Sequence, residues 1–201
     1  MKARGLKSRL APFLPPQDRL RLAELMLLDV LGALGEAGLL SSSFVISSSR
    51  RTLELAKRAG AKAIREASDT GVNSAIEKGL REVPADDVMV VPSDLPLLTA
   101  TEINGALKLR SSGVDVVVTP SMDFDGTNLL LFPRSNPLPL SFDRDSFWNH
   151  LEAASRRGLK VAVFSARGIR YDVDTISHLR GLAKERSSGR AVALARKLVH
   201  Q

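Results

Sequence analysis

The apolar residues of this chain keep changing their spacing, and that alternation limits the fold more than any other feature. Residues 17–37 place Leu20, Ala23, Met26, Leu27, Val30, Leu31 and Leu34 at helical intervals, with Pro16 suited to the first turn and Gly38 to the stop. Phe44, Val45 and Ile46 then read as a short strand, 52–59 as a helix closed by Gly60, 61–65 as weakly extended and 73–82 as a helix. The run Val88 to Val91 is unbroken, as in a strand buried on both faces of a parallel sheet. A helix starts at once, because Thr99 and Glu102 form a capping-box pattern, and it reaches about residue 110. Extended 114–120 and 128–132, helical 146–158, extended 160–164 and two C-terminal helical stretches follow. Such alternation predicts a three-layer α/β fold around a mostly parallel sheet, and the 201 residues form a single domain, 1–201, with no repeat or long linker.

Composition narrows the function classes. There is no cysteine, so disulfides and thiolate metal sites are excluded, and any metal must be held by oxygen or by the three histidines. Twenty-nine Lys and Arg against 22 Asp and Glu give a net charge of +7, which predicts anionic partners. Nucleic acid is not expected as the main ligand, since one Tyr, one Trp and seven Phe form no basic-plus-aromatic motif. The longest apolar stretch, LAELMLLDVLGALGEAGLL, is interrupted by Glu24, Asp29 and Glu36, so no membrane span is expected. The N-terminus is basic, but Pro12, Pro15 and Pro16 break any targeting helix there, and a cytoplasmic location is expected.

In an open α/β sheet, ligands collect beyond the carboxyl ends of the strands, so motifs at those ends come first. In VPSDLPLL, Asp94 directly follows a strand, and the Thr99/Glu102 box already supplies the next helix cap. That leaves Asp94 for function. In YDVDTISHL, Asp172 and Asp174 lie two residues apart and, if extended, face the same side. Two converging carboxylates with no cation nearby repel, which a hard divalent metal such as Mg²⁺ relieves. Asp174 serves equally well as the N-cap of a helix beginning at Thr175. GTNLLLF offers Gly126 for close approach, then Thr127 and Asn128 as polar groups before a strand. In FDRDSFWNH, Ser146 opens a helix whose free N–H groups suit an anion, while His150 reads as a half-buried helix residue. His178 and His200 assemble into no metal triad. Lys7, Ser8 and Arg9 of GLKSRL could grip a polyphosphate without being a Walker motif, and Gly71 and Asn73 stand at a loop-to-helix junction suited to a base or ribose but equally to a simple cap.

Taken in order, KSRLAP, the MLxDVLxAL helix, TGVNSAI, PSDLPLL, GTNLLL, DSFWNH and YDVDT resemble the 2-phospho-L-lactate guanylyltransferase family of coenzyme F-420 biosynthesis. The resemblance implies a Rossmann-like nucleotidyltransferase fold of the molybdopterin-guanylyltransferase type. It also implies attack by 2-phospho-L-lactate, or by phosphoenolpyruvate, on the α-phosphorus of GTP with loss of pyrophosphate. By resemblance, Asp94, Asp172 and Asp174 hold Mg²⁺, Lys7, Ser8 and Arg9 face the triphosphate, and Gly71 and Asn73 meet the nucleoside. Thr127, Asp143 and Ser146 meet the acceptor acid, and a homodimer is the family expectation. Two departures stand out. Asp143 occupies a position where the family usually has glycine, and the hydrophobic strand that should precede the K-S-R loop is absent, with Lys2 resembling the residue that closes it. The fold is therefore expected to lack its usual first strand, and Met1 to be an internal or misassigned start. Transfer to a sugar phosphate or a molybdopterin is the competing enzyme reading, and a basic RNA-binding module the competing class.

Overall fold

The computed structural model describes residues 7–199; Gly5 of the basic opening stretch, Lys2, the question of Met1, and His200 lie outside them. A 3₁₀ turn, Ser8–Leu10, leads into α1 (Pro16–Glu36), β1 (Phe44–Ser47), α2 (Arg50–Arg58), β2 (Lys62–Arg65), α3 (Val72–Glu82) and β3 (Asp87–Val90). Then come α4 (Ala100–Ser111), β4 (Val116–Pro120), β5 (Thr127–Pro133), α5 (Ser146–Arg156), β6 (Val161–Val163), the one-turn α6 (Arg167–Arg170), α7 (Ile176–Ala183) and α8 (Arg190–Leu198). The capping box at α4 forms as expected: the Thr99 hydroxyl accepts from Glu102 N, and Glu102 accepts from Thr99 N at 3.0 Å.

The strands make two sheets, a parallel β1–β2 pair and a four-stranded sheet in the order β3-β5-β4-β6. β5 is antiparallel to both β3 and β4, while β4 and β6 are parallel, so three of the four strands run one way. The two sheets divide between β1 and β3. β1 and β3 both line a cleft of about 1540 Å³, and no ladder joins them among the described residues. For that reason the expectation that residues 88–91 are buried on both faces is corrected. β3 sits at the rim and is half-buried, whereas β4 and β5 are the buried strands.

Alternation along β4 and β5 builds the three layers. Val117, Leu129 and Leu131 face α1, α4 and α6, and Val116, Val118, Leu130 and Phe132 face α5. Burial of each large side chain is worth roughly 1.5–3 kcal/mol. α1 is apolar on more than one side because it packs on four neighbours. Leu22 and Met26 meet α7 and α8, Leu27 and Leu31 meet Ala56 of α2, and Val30 and Ala33 meet the four-stranded sheet. One helix thus ties both sheets together.

Two backbone details aim side chains at the cleft. The β4–β5 register runs Thr119 with Leu129, then Pro120 with Thr127, so Asn128 is an extra residue on β5. Without that bulge Thr127 would share the face of Leu129 and Leu131; the one-residue slip turns it toward α5. The proline on the opposing strand has no N–H to leave unpaired there. The second detail is α6, whose Gly168 N donates to Glu102 Oε1 at 2.8 Å, fixing the segment that carries Asp172 and Asp174.

A Cβ on Gly168 would lie 2.1 Å from Leu97 O and 2.5 Å from Glu102 Oε2. Gly168→Ala is expected to destabilise the fold by about 1–3 kcal/mol. Gly32→Ala, in the interior of α1 with nothing within 4 Å of its Cβ, is expected to stabilise it by about 0.5–1 kcal/mol. Urea midpoints at an unchanged slope check both.

Candidate active site

Strand ends and one loop bring most of the sequence-selected residues to the same cleft. Asp94 follows β3, Thr127 and Asn128 open β5, Ser146 starts α5, and the segment after α6 carries Asp172 and Asp174. The Asp94 loop and the Asp172–Asp174 segment are joined by Val173 N donating to Asp94 O at 3.2 Å. Val173 itself is fully buried, so the two aspartates flanking it lie together on the cleft side, as their spacing predicts.

A cation does lie between the acids, contrary to the expectation from sequence. Lys7 Nζ donates to Asp94 Oδ2 at 2.5 Å and to Asp174 Oδ1 at 2.6 Å, while its side chain is only 8% exposed. The residue adopts a left-handed backbone, φ 50°, that a lysine rarely takes, which delivers the ammonium from the start of the 3₁₀ turn. Burial works against its charge, but Asp94 and then Asp174 outweigh it and hold its pKa above the ordinary lysine value. Burial likewise opposes the Asp174 charge, and Lys7 and Arg9 overcome it, so the Asp174 pKa is lowered. Arg9 Nη1 stands 3.8 Å from Asp174 Oδ2 and is largely exposed.

Asp172 has no such cation among the described residues. Burial raises its pKa, and the neighbouring negative charge of Asp94 adds to that, against a 3.2 Å hydrogen bond donated by Asn128 Nδ2. One atom is left over: Asp94 Oδ1 is buried with no hydrogen-bond partner among the described residues. The helix-cap alternative for Asp174 falls away, since α7 is capped by Thr175, whose hydroxyl accepts from His178 N at 3.2 Å.

Across the cleft lies a buried hydroxyl pocket. Thr127 Oγ1 is 2.9 Å from His150 Nδ1 and 3.2 Å from Ser146 Oγ, and Ser141 N donates to His150 Nε2 at 3.3 Å. Thr127, Ser146 and His150 are all under 5% exposed. Sequence reading took His150 for a half-buried helix residue, and the correction comes from its packing: it is 1% exposed, with the Phe142 ring edge-on at 4.9 Å. The only signal in the sequence was its place four residues after Ser146, on the same helical face.

The remaining selected residues are placed less directly. Gly71, at φ 101°, turns the chain into α3, a conformation open to glycine. The Asn73 amide is engaged by the 142–143 segment, accepting from Phe142 N at 2.8 Å and donating to Asp143 Oδ2 at 3.0 Å. Asp143, whose charge would repel an anion, is thereby given a partner. Ser8 is exposed at the turn beside Lys7. Among the described residues, no three His, Asp or Glu side chains are arranged as a ready-made metal cluster. Despite the basic chain, the described cleft lining holds nine aspartates and three arginines.

Comparison with known proteins adds identity to this geometry. A family model described as guanylyl transferase CofC like matches residues 1–199. Phosphoenolpyruvate guanylyltransferase of Rubrobacter xylanophilus is 37% identical over 89% of this chain and 88% of its own length. 3-Phospho-D-glycerate guanylyltransferase of Phenylobacterium zucineum is 36% identical (85% and 80%), and 2-phospho-L-lactate guanylyltransferase of Methanothermobacter thermautotrophicus 34% (86% and 76%). A crystal structure from Desulfovibrio desulfuricans, described as a candidate nucleotide-diphospho-sugar transferase, superposes with a TM-score of 0.75 at 22% identity, covering 98% of this chain and 91% of its own. That likeness shows the nucleotidyltransferase fold. No described helix is long and apolar enough to cross a membrane.

The buried imidazole has a thermodynamic signature. Burial lowers the His150 pKa from 6.5 to about 4. The unfolded chain therefore binds the proton first as pH falls, and stability drops between pH 6.5 and 4 by about 3 kcal/mol through this residue. Above 6.5 the effect is absent. In His150→Asn the pH slope in that window is expected to be shallower, as urea unfolding across the range will show.

Proposed function

We propose, for a chain that belongs to the guanylyl transferase CofC-like family, that the Lys7 clamp and the hydroxyl pocket are two halves of one guanylyltransferase site. The observation that carries this reading is the buried Lys7 ammonium held by Asp94 and Asp174, two acids that line the same cleft as the Thr127 and Ser146 hydroxyls. GTP lies with its phosphates toward Lys7, Ser8 and Arg9 and its nucleoside toward Gly71 and Asn73. The acceptor is a small phosphorylated carboxylic acid seated by Thr127 and Ser146, near Asp143. Named relatives act on phosphoenolpyruvate, 3-phospho-D-glycerate and 2-phospho-L-lactate, and 2-phospho-L-lactate is the acceptor proposed here, as a step of coenzyme F-420 biosynthesis.

In the reaction an oxygen of the acceptor phosphate forms a bond to the α-phosphorus of GTP, and the bond from that phosphorus to the bridging oxygen breaks. Pyrophosphate leaves with the electron pair. The attacking phosphate is already anionic, so no general base is needed. The work left to the protein is positioning and electrostatic stabilisation. Lys7 offsets charge on the departing pyrophosphate, and Asp94 and Asp174 fix where its ammonium stands. Arg9, half-free at the rim, supplies a second positive charge for the same phosphates.

Mg²⁺ fits the donor set in one respect that can be tested on the structure. Among the described residues Asp94 Oδ1 is buried without a partner and Asp172 beside it lacks a cation, and both are hard oxygen ligands. Asp94 and Asp172 would hold the ion, with Asp174 committed first to Lys7 and phosphate oxygens completing the shell. When bound, Mg²⁺ neutralises phosphate charge. A cleft lined by nine aspartates otherwise repels a triphosphate, which is a further reason for a divalent cation.

Incubation with GTP, Mg²⁺ and each of the three acids in turn, followed by mass identification, is expected to give pyrophosphate and lactyl-2-diphospho-5′-guanosine with 2-phospho-L-lactate. Folded protein that makes no guanosine anhydride with any of the acids would sink the reading. Asp94→Asn is expected to lower kcat/KM by about 10²–10³ while circular dichroism stays unchanged. Near-wild-type pyrophosphate release by that variant would remove Asp94 from the site.

A further inference from the structure

We infer that His150 is a positioning residue whose ring, locked as the Nδ1–H tautomer, leaves one hydroxyl hydrogen of the Thr127–Ser146 pair free to bind the acceptor anion. The inference rests on the proposed guanylyltransferase site and names a group there that never touches substrate. The argument is a count of hydrogens. A backbone N–H can only donate, so Ser141 N, 3.3 Å from His150 Nε2, requires that nitrogen to accept. In a neutral imidazole the other nitrogen then carries the proton. Burial keeps the ring neutral at physiological pH, its pKa lowered to about 4.

With Nδ1 protonated, His150 donates to Thr127 Oγ1 at 2.9 Å. The two hydroxyls, 3.2 Å apart, satisfy one another with a single hydrogen, in whichever direction. One hydroxyl hydrogen therefore remains: on Ser146 it reaches Asp125 O at 3.5 Å, the limit of bonding, and on Thr127 it meets no further acceptor among the described residues. A carboxylate or phosphate oxygen entering the cleft is a much better acceptor. The opposite tautomer would reverse the outcome, because the ring would take the Thr127 hydrogen, Thr127 would take that of Ser146, and two lone-pair shells would confront the anion. Specificity for an anion is thus set by Ser141, one bond beyond the ring.

Two substitutions separate this role from simple packing. Asn places an amide N–H close to the Nδ1 position, keeping the donor to Thr127; Gln reaches the Nε2 position, keeping the partner of Ser141 N and losing the donor. The acceptor KM is expected to rise at least about tenfold in His150→Leu and His150→Gln, the usual worth of one hydrogen bond to a charged group. His150→Asn should recover most of that loss. The KM for GTP should change by less than about twofold in all three. Recovery by Gln and not by Asn would overturn the inference, leaving His150 as an anchor for the Ser141 segment. A second measurement needs no variant. Long-range ¹H–¹⁵N spectra of the wild-type protein, which has only three histidines, are expected to show His150 protonated at Nδ1 alone, and protonation at Nε2 would overturn the inference. Product formation by the wild type tests the functional reading separately. Should turnover be absent, titration with phosphoenolpyruvate gives a Kd that replaces KM in the same comparison.

Discussion

A single buried ammonium holds this site together. Lys7 comes from the first described residue of the chain and reaches acids 87 and 167 positions away, so its two ion pairs connect the N-terminal turn, the loop after β3 and the segment after α6. An exposed pair would be worth little, but at 8% exposure the charge is costly to bury, and only two carboxylates at hydrogen-bond distance offset that cost. The left-handed backbone at Lys7 is the strain accepted for it. The segments that meet around this ammonium all line the cleft or border it, and their relative placement is what any chemistry there must rely on.

The supporting structure shows how little freedom remains. α1 packs against α8, α2 and the four-stranded sheet with different sides, so the cleft between β1 and β3 has a common back wall. Glu102 has two jobs: one carboxylate caps α4 and also receives Gly168 N, which holds α6 and the following acids in place. The charge of the chain does not describe the charge of the cleft. A net charge of +7 coexists with a lining rich in aspartate, and the basic residues lie mostly elsewhere. Composition predicts an anionic ligand, yet a cleft lined by so many aspartates can admit one only beside cations such as Lys7 and Arg9.

Much of the molecule was legible from residue order. Period changes gave the elements of the α/β layers, the Thr99/Glu102 box gave the start of α4, and Asp94 was singled out because it followed a strand with no cap to make. The likeness of seven short motifs in sequence order pointed to the guanylyltransferase family, and the family comparison bears that out over residues 1–199. The reading failed where a residue's role depends on its distant neighbours. Residues 88–91 are as apolar as a buried strand, yet β3 lies at the rim of a cleft because nothing pairs with its other edge among the described residues. His150 looked ordinary because its partners, Thr127 and Ser141, come from other elements.

By itself the sequence determined the local periods, the caps, the turn glycines and which polar residues end strands, because those depend on neighbours a few positions apart. Tertiary structure alone decided which of them meet. The extra residue at Asn128 turns Thr127 toward His150 by shifting one register, and no pattern within GTNLLLF announces it. Lys7 stands between Asp94 and Asp174 for the same reason: an ion pair across 87 or 167 residues forms only once packing has closed the chain around it.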